Sequence, residues 1–186
     1  MTILPIVTFP NPLLKQTSKP VEKIDDELKK LMTDMLETMY ADKGVGLAAV
    51  QVGVLKRVIV VDVQYKVEEE ECDGHHHHGH YHHHQISDQK QMFLINPEII
   101  NYSKERSVSY EACLSFPDVR AAVHMPQAVK VKYLDYNGTE QILEADGLLA
   151  TCVQHEVDHL NGITFVDHLS KLKREITLKK LQKFSH

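Results

Sequence analysis

The spacing of hydrophobic positions changes several times along the chain, and each change marks an element. Between residues 25 and 43, Leu28, Leu31, Met32, Met35, Leu36 and Met39 recur three and four apart, the repeat of one helix face. Asp25 or Asp26 is placed to cap this helix, and Gly44 to end it. VLKRVIVVDV at 54–63 is a β-branched run that reads as a buried strand. MFLINP at 92–97 reads as a short strand stopped by Pro97. Residues 128–145 read as a hairpin turned at Asn137-Gly138. Asp146 can cap a second helix, GLLATCVQHEVDHLNG, which stops at Gly162. A third helix is expected from about Ser170 to Phe184. There is no internal repeat. This order predicts an α+β fold, with mostly antiparallel sheets packed around the central second helix and a helix at the C-terminus.

Length and composition narrow the class. The 186 residues predict one domain, 1–186, long enough to bury a core. Hydrophobic content of 42% and charged content of 25% are ordinary for a globular protein. A net charge of -5 gives no global reason to expect DNA binding. No apolar run approaches a membrane span, and MTILPIVTFPNP lacks the basic and apolar regions of a signal peptide. Cys72, Cys113 and Cys152 make an odd count, unlike a secreted disulfide framework. A reducing cytoplasm is the expected compartment.

One segment stands out by composition. EEEECDGHHHHGHYHHHQISDQ at 68–89 holds eight of the thirteen histidines. It lies between the expected VIVVDV and FLINP strands and is poor in apolar residues, so it reads as an inserted surface loop at about 67–90. Nothing in it fixes the geometry that a catalytic centre needs. Its readings are a tolerated insertion, a weak metal-collecting loop, or a partner site.

A sparser pattern lies in the second helix. His155, Glu156 and His159 form H-E-x-x-H. Residues i and i+4 share a helix face, so both imidazoles can reach one metal ion. Glu156 can then touch a water held by the metal and serve as general base. The bland alternative is a solvated polar face. The helix is otherwise apolar, with Leu148, Leu149, Val153 and Leu160, and unpartnered histidines buried there would be costly. A catalytic metal usually takes a third protein ligand. Position 165, where some zinc proteases carry a histidine, is Phe165; Glu175 lies in the basic last helix; Cys113 in SYEACLSFPD is the upstream candidate. A thiolate with two imidazoles suits ferrous iron or zinc, although a free cysteine is often just a small buried hydrophobe.

GVGLAAVQVG at 44–53, EACLS at 111–115 and QHEVDHLNG at 154–162 resemble the three motifs of the peptide deformylase family, in the same order and at similar separations. The resemblance extends from ILPIVTFPNPLLKQTSKPV to the final helix. It implies a metal-dependent hydrolase that removes the formyl group from the N-terminal formylmethionine of newly made polypeptides and releases formate. It implies that Cys113, His155 and His159 bind the metal and that Glu156 is the acid/base. Gln51 and the backbone N–H of Leu114 would stabilise the oxyanion. Val45, Gly46, Ala112 and Arg120 would contact the substrate, with an extended peptide pairing as an added strand. Glu111 is expected to pair with Arg120. Ferrous iron (Fe2+) is the first expectation for the metal, with Zn2+, Ni2+ or Co2+ as alternatives.

Three features depart from the family pattern. Ala112 stands where glycine is usual, Met125 stands where a basic residue is frequent, and the histidine-rich insert is extra. The partner implied is an N-formylmethionyl nascent peptide in the bacterial cytoplasm. The last helix, KLKREITLKKLQK, has six basic residues against Glu175 and suggests docking on ribosomal RNA. The competing reading is an amphipathic helix that packs Leu172, Ile176 and Leu181 on the domain.

Overall fold

The computed structural model describes residues 2–63 and 91–184. The histidine-rich insertion therefore lies outside the described residues. The first helix, α1, spans Asp26–Ala41. The Asp25 carboxylate caps it, accepting from the Leu28 N–H at 3.0 Å. Leu28, Met32, Met35, Leu36 and Met39 are all buried, on the face that the spacing predicts. The end differs from expectation. Lys43, not Gly44, takes the left-handed conformation, with φ 56°. Gly44 serves close approach instead: a Cβ there would lie 3.0 Å from Leu114 Cδ1.

Among the described residues, seven strands follow: β1 (Gly46–Ala48), β2 (Val58–Val61), β3 (Met92–Tyr102), β4 (Arg106–Cys113), β5 (Phe116–Pro126), β6 (Ala128–Leu134) and β7 (Glu140–Asp146). They form a five-stranded sheet in the order β1-β2-β3-β6-β7 and a separate β4-β5 ribbon. Every pairing between them is antiparallel. The fold is α+β, as expected.

Several boundaries move for local reasons. β2 covers only the end of the 54–63 run, because Leu55 and Arg57 bond to Lys19 instead. β3 does not stop at Pro97 but runs on to Tyr102. A register shift between Ile95 and Glu98 absorbs the proline, whose missing N–H would otherwise interrupt the ladder. Asn96 sits in that shift at φ 51°, and its side-chain amide bonds to both backbone groups of Val21. The β6-β7 connection is wider than a two-residue turn. Asp135 accepts from the N–H groups of Asn137 and Thr139, and Gly138 has φ 83°.

The second helix, α2 (Gly147–Leu160), packs against both the five-stranded sheet and β5. Asp146 holds the cap position without a side-chain cap bond. Beyond the helix, Gly162 is required twice over: its φ is 72°, and a Cβ would fall 2.5 Å from the Lys15 carbonyl oxygen. The third helix, α3 (Lys171–Phe184), is where expected. It packs Leu181 and Leu178 beside Phe116, Val119 and Phe165. Leu172 and Ile176 point away and are 68% and 51% exposed, so they do not pack as the amphipathic reading expects. Among the described residues, no helix is long and apolar enough to cross a membrane.

Candidate active site

Three side chains from two elements converge on one buried point. β4 ends at Cys113, and α2 presents His155 and His159 one turn apart. The Cys113 sulfur is 3.2 Å from His159 Nε2. One ligand atom from each of Cys113, His155 and His159 lies within 4.8 Å of the other two. The two imidazole rings are 4.9 Å apart, centroid to centroid, at 71°.

Glu111 sets the orientation of the first imidazole. Its Oε2 lies 2.6 Å from His155 Nδ1, so a proton on Nδ1 leaves Nε2 free to bind a cation. Burial opposes charge on His155, but hydrogen bonds to Cys113 and Glu111 outweigh it and raise its pKa well above the usual histidine value. His159 behaves oppositely: burial, with the charges of His155 and Lys15, holds its pKa well below that value. A neutral imidazole is the metal-binding form.

The residues fit a divalent cation. One sulfur and two imidazole nitrogens are the donor types that soft or borderline metals take. Beside them, the buried Glu156 Oε2 has no hydrogen-bond partner among the described residues. Cys113, His155 and His159 would hold such a cation, which would supply Lewis-acid chemistry there.

Glu156 adjoins the cluster and is buried. Burial pushes its carboxyl up to about 7, with His155 pulling down and Glu111 pushing further up. Gly46 permits this placement: a Cβ on it would lie 2.7 Å from Glu156 Oε1 and 2.6 Å from Cys152 Sγ. Cys152 stays a thiol, because burial and the charges of Glu156 and Glu111 raise its pKa.

Gln51, a buried amide among valines, is fully engaged. Its Oε1 accepts from the Ala48 N–H at 2.7 Å. Its Nε2 donates to Ser115 Oγ at 3.2 Å and faces Cys113 Sγ at 3.5 Å. The amide is thereby aimed at the metal cluster. A cleft of about 950 Å³ opens over these groups. Val45, Gly46, Ala112, Leu114 and Arg120 all line it. Among the described residues, β1 forms one edge of the five-stranded sheet and pairs only with β2.

A scan of family models matches polypeptide deformylase over residues 3–175. The chain belongs to the polypeptide deformylase family. Among its relatives, the peptide deformylase of Rhizobium meliloti (strain 1021) is 46% identical over 98% of this chain and 94% of that protein. The peptide deformylase of Novosphingobium aromaticivorans is 50% identical over 98% of this chain and 97% of that one. A crystal structure of peptide deformylase from Ehrlichia chaffeensis matches with a TM-score of 0.83 and 43% identity, over 100% of this chain and 98% of that chain. The same enzyme has been solved in complex with actinonin. As a family member, the chain is a metal-dependent hydrolase that removes the formyl group from newly made polypeptides.

One expected contact fails within this deformylase fold. Glu111 does not pair with Arg120. Alternation along β4 turns Glu111 inward to His155, whereas Arg120 is exposed on β5, opposite Ala112. Met125 is buried in the core and does not line the cleft. The sequence reading also missed Ser115 and Cys152. The signal for Glu111 was present: residues 111 and 113 share a strand face, so a carboxylate there had to meet the ligands. Ser115 was marked only as the last residue of the EACLS motif.

Proposed function

We propose that this deformylase acts through a cation held by Cys113, His155 and His159, with Glu156 as acid/base and Gln51 and the Leu114 N–H as oxyanion donors. The observation that carries the reading is the convergence of three buried ligand atoms beside a buried carboxylate with a free oxygen. When bound, the cation supplies a Lewis acid that makes water a nucleophile near neutral pH.

The residues then divide the work. Val45, Gly46 and Ala112 hold the formylmethionyl backbone in extended form beside the edge strand β1, with Arg120 at the rim. Glu156 takes a proton from the attacking water and later delivers it to the leaving amine nitrogen. As charge grows on the formyl oxygen, the Gln51 N–H that faces Cys113 and the Leu114 N–H receive it. Formate and a free amino terminus are released.

We also assign Fe2+ as the native metal, with Zn2+, Ni2+ and Co2+ as competent substitutes, because the sulfur-containing donor set suits all four. The chain is one catalytic domain, 1–186, carrying an insertion at about 67–90, and it works in the bacterial cytoplasm. The basic α3 docks on the ribosome; a chain truncated before Lys171 that still co-sediments normally with ribosomes would remove that part.

Formate release from a short formyl-Met peptide by anaerobically prepared, iron-loaded protein tests the reading, with Glu156→Ala alongside. Turnover is expected only in the parent. A general metallopeptidase would instead cleave internal peptide bonds. A storage protein would bind metal and turn over neither substrate.

A further inference from the structure

The contacts between β4 and α2 repeat with a matched step. Cys113 meets His159, and Glu111 meets His155. Each rung advances two residues along the strand and four along the helix. Those steps are nearly equal, about 6.7 Å and about 6 Å, so the repeat can continue. The next rung outward brings Ser109 towards Thr151. Both are half-buried and both line the cleft. Ser109 belongs to the inward face of β4, since its cross-strand partner Val123 is buried. The Thr151 hydroxyl donates to the Gly147 carbonyl at 3.2 Å, which leaves its lone pairs directed outward from the helix backbone. Leu148, 58% exposed, follows at the mouth.

This placement has a consequence for the substrate, on the site assignment proposed above. The formyl carbon lies at the innermost rung, beside Gln51. On that assignment, a first side chain directed along the cleft towards Leu148 runs past the third rung. An apolar side chain there covers the Ser109 hydroxyl and the outward lone pairs of Thr151 without pairing with either, which is unfavourable where water is excluded. We infer that Ser109 and Thr151 form a polar end to the pocket for the first side chain, and that the pocket accepts N-formyl-methionine sulfoxide as well as N-formylmethionine. The sulfoxide oxygen, on the δ sulfur, accepts a hydrogen bond from the Ser109 hydroxyl. Thr151 keeps that end of the pocket polar.

The test compares formate release from three peptides that differ only in the first residue: formyl-Met, formyl-norleucine and formyl-methionine sulfoxide. The readout is the ratio of kcat/KM for the sulfoxide to that for norleucine. One net hydrogen bond corresponds to about two- to tenfold. The ratio is expected to fall about fivefold in Ser109→Ala and to recover in Ser109→Thr. Thr151→Val, a second and nearly isosteric change, should lower it as well. A ratio that moves in neither variant overturns the inference. So does a parent enzyme that turns over the norleucine peptide and rejects the sulfoxide. No turnover of the formyl-Met peptide is a distinct result, which removes the site assignment and this inference with it.

Discussion

Glu111 Oε2 lies 2.6 Å from His155 Nδ1, and both groups are buried. The carboxylate fixes which imidazole nitrogen is free for the metal and strengthens it as a donor. Glu111→Gln keeps the shape but loses the charge. We expect metal affinity and kcat to fall by about 10- to 100-fold. Metal content after dialysis against a graded chelator, together with kcat at saturating metal, checks this. An unchanged affinity would mean that the ring is held by packing against Phe165 and His159 alone.

Gly46 has no room for a side chain. A methyl group would meet Cys152 Sγ at 2.6 Å and Glu156 Oε1 at 2.7 Å. Gly46→Ala should destabilise the fold by about 1–3 kcal/mol and lower kcat by displacing Glu156. Adding Cys152→Ala relieves one of the two clashes. The double variant should therefore recover part of the stability in urea unfolding while activity stays low. Equal recovery of both would show that Glu156 was never displaced.

These two residues also mark what a sequence can disclose. α2 was legible because its apolar residues and its ligand pair both follow the helical repeat. The β4-β5 ribbon was not, because its pattern is inverted. Ser107, Ser109 and Glu111 face inward, while Val108 and Tyr110 face solvent, the latter 80% exposed. A polar inward face is what a strand needs when it lines a catalytic cleft, and it defeats a reading built on buried apolar residues. Cys113 was recognised through its motif rather than its periodicity. Pro97 misled for a different reason: the bulge that tolerates it depends on Asn96 reaching Val21, a contact distant in sequence.

His168 Nε2 lies 2.6 Å from Asp158 Oδ2, and this hydrogen bond is the main cause of a pKa raised above 6.5. A histidine pKa raised on folding adds stability that is fully present below its unfolded value and is lost as pH rises through its folded value. The parent should therefore lose part of its urea stability just above pH 6.5, and His168→Gln should lack that component. The pair is partly exposed, so the effect should be modest and should shrink with added salt. Parallel curves for parent and variant across this range would exclude the linkage.

The last prediction concerns the histidine-rich segment. Its described flanks are well placed for a deletion: Val61 pairs with Met92 across adjacent antiparallel strands, so the chain ends to be joined are close. Removing residues 68–86 leaves 64–67 and 87–90, which is ample to connect neighbouring strands. All of the assigned ligands and donors lie elsewhere, so kcat/KM at saturating metal should stay within about twofold of the parent. Shortening the connection should also add about 1 kcal/mol of stability through loop-closure entropy. The flanks do lie near the site, since Val61 also pairs with Gly46, whose missing side chain makes room for Glu156. Activity that fell only at limiting metal would therefore identify the segment as a metal-collecting one. Activity lost at saturating metal would place a histidine from the segment in the catalytic centre, against the assignment of Cys113, His155 and His159 as the complete ligand set.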